Sequence, residues 1–199
     1  MEPGTSHSYR DIAEAVFRES AGLQLAFLEG HLDLVVRTAV TIAGVLRAGR
    51  KILVFGNGGS AADAQHLAGE LVNHFLLDRP ALPAIALTTD GSILTSISND
   101  REFAQVFARQ IEALGSAGDV AIGISTSGQS PSVVCGIETA GKMQLCTVAF
   151  TGGDGGKLAG LADYAFVVPS QSTPRIQEVH ATLGHALCQL VETELFGTS

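Results

Sequence analysis

Charge is scarce in this chain, and what there is leans one way. Only 16% of its 199 residues are Asp, Glu, Lys or Arg, and 20 acidic against 12 basic residues give a formal net charge of −8. Such a surface repels a nucleic-acid backbone and argues against a nucleic-acid partner. It also constrains any anionic substrate. Attraction must be local, from backbone N–H groups and hydroxyls, because the field of the whole molecule opposes it. Long apolar runs are missing too. None approaches the roughly 18–20 residues of a membrane helix, so no membrane partner is expected. The opening MEPGTSHSYRD lacks a charged-then-apolar secretion pattern, and a cytoplasmic location is the default expectation.

Cysteine is rare. Cys135, Cys146 and Cys188 are odd in number, irregular in spacing and set in apolar segments. They read as buried free thiols rather than a metal cluster. There is no long linker, low-complexity segment or repeat of 20–50 residues. The Gly-Lys-Ser/Thr of a nucleotide phosphate loop is absent. Gly56-x-Gly58-x-x-Ala61 fits the loose dinucleotide fingerprint. The acidic residue that this fingerprint wants about 20 positions on is not there, since Asp90 comes 34 positions after Gly56. Nicotinamide binding is therefore a weak runner-up.

What the chain does have is apolar substance: 46% of its residues are hydrophobic. That suits one domain with a sizeable core, part of its surface hidden by self-association. Two apolar helical patterns are expected near 9–28 and 31–48, separated by Gly30. Continuous apolar runs at 51–56, 82–87, 119–125, 145–150 and 164–169 read as strands covered on both faces. Helices are expected near 60–76, 101–114, 130–143 and 174–196. The alternation predicts an α/β fold, a doubly wound and mainly parallel five-stranded sheet. Residues 1–50 form an N-terminal helical segment for packing or oligomerisation, and 51–199 the α/β unit, within one structural domain.

In such sheets ligands bind beyond the C-terminal strand ends. The first strand ends in GNGGS (56–60) and the third in STSGQS (125–130), each leading into a helix. Helix N-termini offer unpaired N–H groups and partial positive charge. Ser60, Ser125, Thr126, Ser127 and Ser130 add hydroxyls. Two lysine-free loops of this kind suit a phosphate monoester held by neutral donors, although capping and turn chemistry alone also favours such residues.

The helix after the first loop places His66 and Glu70 at i and i+4, about 40° apart on one face. That spacing serves two ligands of one metal, a base and its partner, or a plain surface pair. In the last helix Thr173 is expected to cap and Pro174 to start the first turn. Ile176, Val179, Leu183, Leu187 and Leu190 form its core stripe, and His180 reads as a structural histidine at the stripe's edge. Gln177 and His185 point elsewhere. They flank Ala181, Gly184 and Cys188, small enough to admit a close neighbour, and make a half-site expected to serve an adjacent subunit.

GNGGSAADAQHLAGEL, RPALPAIALTTD, ISNDREFAQVFARQIEALGSAGDVAIGISTSGQS and RIQEVHATLGHALCQLVE, in that order, resemble the phosphoheptose isomerase family of the SIS-domain superfamily. The likeness runs from about residue 10 to 196. It implies interconversion of sedoheptulose 7-phosphate and D-glycero-D-manno-heptose 7-phosphate through an enediolate, at the start of heptose synthesis for lipopolysaccharide and other surface glycans. It implies a cytoplasmic homotetramer with shared sites and one zinc per subunit. Matched residue by residue, the zinc ligands are His66, Glu70, Gln177 and His185, and the acid–base pair is Glu70 and His185. Asn57, Gly58, Ser60, Asp100, Ser125, Thr126, Ser127, Ser130 and Gln177 are implied to touch the substrate. On a straight helix Gln177 and His185 lie roughly 12 Å apart, so one ion meets both only midway between extended side chains. One departure stands out: many members carry arginine four residues past the glutamate, where this chain has His74. Relatives of the same superfamily include a replication-initiator-associated binding scaffold and isomerases of other sugar phosphates. Retention of Glu70 and His185 favours the enzyme.

Overall fold

Strands β1 (Ile52–Gly56), β2 (Ala84–Ala86), β3 (Val120–Ser125), β4 (Cys146–Gly152) and β5 (Tyr164–Val168) form one sheet in the order β2-β1-β3-β4-β5. Every neighbouring pair is parallel. The computed structural model describes residues 8–197; the first seven residues, part of the opening stretch MEPGTSHSYRD, lie outside it. The expected doubly wound α/β architecture is what the chain adopts, with helices α1 (Tyr9–Arg47), α2 (Gly59–Val72), α3 (Gly91–Asp100), α4 (Val106–Leu114), α5 (Pro131–Lys142), α6 (Gly156–Ala159) and α7 (Thr173–Phe196).

The apolar strands divide their side chains with period two. Ile52, Val54, Ile122, Ile124, Val148, Phe150 and Phe166 face a core shared with α1, α2 and α7. Leu53, Phe55, Ala121 and Ala149 face a second core built with α4 and α5. This two-sided covering is why the strands read as unbroken apolar runs.

Four expectations need correction. The two leading helical patterns are one 39-residue helix. Gly30 costs about 1 kcal/mol inside it, but burial of Phe27, Val35, Ala39, Ile42 and Leu46 on one continuous face outweighs that. His31 bridges the position, its Nδ1 2.9 Å from the Phe27 carbonyl and its ring stacked on Phe27. Second, α3 was not expected. Its Ser and Thr residues disfavour helix interiors, yet Asp90 caps it, accepting from the Ile93 N–H at 2.9 Å. Third, the N-cap of α7 is Ser172, and Thr173 is already helical. Fourth, only Cys188 is fully buried, while Cys135 and Cys146 are half-buried. Burial, with Glu70 and Glu192 nearby, pushes the Cys188 thiol up to about 12. Among the described residues no helix is long and apolar enough to cross a membrane.

Candidate active site

The chain leaves β1 toward β2 on one side and returns to β3 on the other, so the β1 and β3 ends bound the crevice where the winding reverses. The two loops there are tied together. Asn57 donates through Nδ2 to the hydroxyls of Ser130 and Ser132, both at 2.9 Å. Gly58 stands at the N-cap of α2 and Ser130 at that of α5, and neither makes a side-chain capping bond. Two helix starts thus present N–H groups in adjoining loops without a capping side chain. Ser60 and Ser125 are buried, Thr126 is half-buried and Ser127 exposed. The Ser127 hydroxyl accepts from the Gln129 N–H at 3.2 Å.

Some glycines here serve the chain's own packing. Gly128 has φ +63°, and a side chain on it would strike the Gly155 carbonyl, so the β3 loop rests directly on the loop after β4. A side chain on Gly59 would run into the Gln177 carboxamide. That contact is where α7 reaches the first glycine loop.

About two turns further along α2, His66 and Glu70 meet His185 of α7. His66 Nε2 lies 2.8 Å from His185 Nε2 and 3.3 Å from Glu70 Oε1. One donor atom from each residue lies within 4.8 Å of the other two. The half-site on α7 therefore serves α2 of the same chain, which corrects the expectation that a neighbour receives it. The small residues explain how: Gly184 packs against Leu67 of α2, and Ala181 lines the gap beside it. Phe75 stacks on the His185 ring, centroids 5.4 Å apart.

Two imidazoles and a carboxylate are a donor set that suits zinc. Tetrahedral zinc holds two nitrogens roughly 3.3 Å apart, so the rings need to part by only about half an ångström. The three residues fit such an ion. Gln177 of α7 lies against Gly59 of the first glycine loop. Asp100 lies exposed at the end of α3, bonded to the Asn99 amide. His74 is exposed beyond the end of α2. His180 is buried, as expected of a structural histidine, with Nε2 3.1 Å from the Thr151 carbonyl. Burial pushes it down to about 4, partly opposed by that bond.

Three residues escaped the sequence reading. Asp63 precedes His66 by three residues on the same face of α2 and lines a cavity with His66, His180 and His185. Burial raises its carboxyl above the ordinary value, with His66 opposing. The i, i+3, i+7 spacing of Asp63, His66 and Glu70 was a legible signal. Arg79 and Glu192 are the other two. Arg79 donates to the carbonyls of Glu70 at 2.9 Å and Leu71 at 2.6 Å, closing the end of α2 that carries Glu70. Glu192 of α7 accepts from Arg79 Nε at 3.0 Å and from the N–H groups of Phe75, Leu76 and Leu77. They lie 113 positions apart, and nothing local links them.

Residues 15–152 match the SIS domain. The phosphoheptose isomerase of Aquifex aeolicus is 57% identical over 177 residues, 89% of this chain and 93% of the relative. That of Desulfovibrio desulfuricans is 54% identical over 186 residues, 94% of this chain and 89% of the relative. This chain belongs to the phosphoheptose isomerase family. Solved family members agree in shape. The phosphoheptose isomerase of Neisseria gonorrhoeae covers 94% of this chain and all of its own, with a TM-score of 0.88 at 41% identity. The one from Francisella tularensis reaches 0.90 at 35% identity, with the same coverage. Family membership at this level makes the chain an isomerase, and its convergent Glu70, His66 and His185 are the residues that the family motifs had singled out.

Proposed function

We propose that this chain interconverts sedoheptulose 7-phosphate and D-glycero-D-manno-heptose 7-phosphate. The observation that carries the reading is the meeting of Glu70 and His185 in one chain, near two hydroxyl-rich loops at helix starts. Sugar C–H bonds next to a carbonyl are weakly acidic, so the reaction needs a placed base and a way to shuttle the hydroxyl proton. The Glu70 carboxylate takes the C1 proton of the ketose, forming a C1–C2 enediolate. His185 carries the O1 proton to O2. Glu70 then returns its proton to C2, leaving the C1 aldehyde. No proton is gained or lost overall.

His66, Glu70 and His185, with Gln177 as the fourth ligand implied by the family motif, would hold a zinc ion. Bound there, zinc polarises the carbonyl as a Lewis acid. The phosphate is held by Asn57, Gly58, Ser60, Ser125, Thr126, Ser127 and Ser130 together with the N–H groups of α2 and α5. Neutral donors at helix starts attract the anion locally, as a chain of net charge −8 requires. Asp100, exposed at the end of α3 with Oδ1 bonded to the Asn99 amide, is assigned to the substrate from a neighbouring subunit.

The protein works as a cytoplasmic homotetramer that feeds heptose into lipopolysaccharide. Support for self-association lies on α1, where Phe17, Leu25, Leu32 and Val40 are all more than half exposed. The deciding experiment is a coupled assay with sedoheptulose 7-phosphate. Turnover is expected, and Glu70→Gln should lower it by about 10²- to 10⁴-fold while phosphate binding persists. No turnover by the wild type points instead to a binding scaffold.

A further inference from the structure

Beneath the His66–His185 pair lies a small space lined by Asp63, His66, Phe150, His180, Gly184 and His185. It holds about 10 Å³, close to the room that one water occupies. Two polar atoms among its lining residues are buried with no hydrogen-bond partner among the described residues: Asp63 Oδ2 and His180 Nδ1. His180 is only 1% exposed. A buried polar group without a partner loses its hydration with nothing in return, so folded chains rarely leave such groups bare.

Their chemistry dictates what joins them. His180 Nε2 faces the Thr151 carbonyl at 3.1 Å, and a carbonyl only accepts, so Nε2 carries the proton. His180 Nδ1 is then a bare lone pair. As a carboxylate, Asp63 Oδ2 is also an acceptor. Two acceptors cannot satisfy one another. A molecule with two donors can satisfy both, and in a space of this size that molecule is water.

We propose that Asp63 and His180 hold one buried water under the site, and that this water orients the His66 and His185 rings. With both O–H bonds committed to Asp63 and His180, its lone pairs are left for the His66 and His185 rings, which line the same space. The two Nε2 atoms converge at 2.8 Å. For both to act as lone-pair donors to one cation, each ring must carry its proton on Nδ1, and that proton needs an acceptor. Asp63 is thus a positioning residue that acts through the water and never touches substrate. The bound water stands without the zinc-site reading; its orienting of the two rings rests on that reading.

A crystal structure of the wild type near 1.2 Å resolution, which needs no variant, reads the water directly. An ordered water within hydrogen-bond distance of both Asp63 Oδ2 and His180 Nδ1 is expected. An empty space, or a direct Asp63–His180 bond, overturns the proposal. Asp63→Asn keeps the shape but can replace an acceptor with an N–H donor facing the water, so the water can no longer give one proton to residue 63 and the other to His180 while accepting from both rings. In that variant the imidazole ¹⁵N resonances of His66 and His185 should shift toward tautomer averaging, and zinc affinity, by competition with a chromophoric chelator, should fall about 10-fold. Unchanged resonances defeat the positioning role. A wild type that binds no zinc refutes the metal reading and the orienting role with it, while the crystal structure still decides the water.

Discussion

Arg79 and Glu192 form an ion pair sealed from solvent, Nε to Oε1 3.0 Å, with each side chain 1% exposed. A buried pair is costly to desolvate, and it persists where every remaining donor and acceptor is met. Here Glu192 accepts three backbone N–H bonds from residues 75–77, and Arg79 spends its guanidinium on the carbonyls of Glu70, Leu71, Asn73 and Pro80. The pair therefore stitches the segment that follows α2 onto α7. Phe75, which packs on His185, belongs to that segment. The distance between Glu70 and His185 is set from below by this stitch.

Removing one partner should be expensive. Glu192→Gln leaves a buried guanidinium uncompensated and should cost about 3–5 kcal/mol, a fall in melting temperature of roughly 10 °C for a chain of this size. The loss should depend on pH. Burial pushes the Glu192 carboxyl up, but the three N–H bonds and Arg79 outweigh it and hold it below the ordinary 4.5. A depressed carboxylate contributes stability that is full above the unfolded value and is lost as pH falls through the folded one. The gap between wild type and Glu192→Gln should be constant from pH 7 to 6 and close below 4.5. Melting curves that stay parallel down to pH 3 would contradict the assignment.

Gly59 offers a test of Gln177 that leaves Gln177 itself intact. Gly59 is helical and does not need positive φ, so Gly59→Ala should fold, with a change in stability below about 1 kcal/mol. The new methyl would occupy the place of the Gln177 carboxamide, the free end of a flexible side chain, which must swing away. Activity should fall as it does in Gln177→Ala, and the double variant should be no worse than either single one. Additive losses would show that Gly59 and Gln177 act separately.

How much of this was legible in the sequence follows from what each element asks of its neighbours. The strands declared themselves because both faces are apolar, and the His66–Glu70 spacing declared a shared face. α3 was missed because its Ser and Thr hydroxyls, which bond back to their own helix as Thr95 does to the Gly91 carbonyl at 2.6 Å, dominate the segment, and its apolar side is short, Leu94 and Ile97 against the second core. The long α1 was split at Gly30 because a local cost was visible and the distant burial that offsets it was not. Arg79 and Glu192 were invisible for a related reason. A charge in an apolar helix reads as a solvated edge until a partner over a hundred residues away is brought to it.

The three-donor cluster predicts a metal dependence. Protein purified without added metal should contain about one zinc per chain by elemental analysis. Dialysis against a chelator should abolish isomerase activity, and zinc should restore it while magnesium does not, since imidazole-rich sites prefer the softer ion. Full activity in metal-free protein would leave His66, Glu70 and His185 as acid–base and orienting groups only.

The last prediction concerns which chain owns the site. Light scattering at micromolar concentration should show an oligomer, because the apolar face of α1 exposes Phe17, Leu25, Leu32 and Val40. Within that oligomer Glu70 and His185 come from the same chain, His66 bridging them at 3.3 and 2.8 Å. Subunits carrying Glu70→Gln therefore contain an intact His185 beside a dead base, and His185→Ala subunits the reverse. Mixing the two after subunit exchange should give no more than the average of their residual rates. Recovery toward a quarter or half of the wild-type rate would require α7 to be traded between chains, a swap that the packing of Gly184 on Leu67 within one chain argues against. A mixed tetramer of Asp100→Ala and Glu70→Gln subunits makes the contrasting case. If Asp100 is supplied across the interface, some sites in that mixture regain both residues and the rate rises. If it too belongs to its own chain's site, the mixture stays as dead as the first.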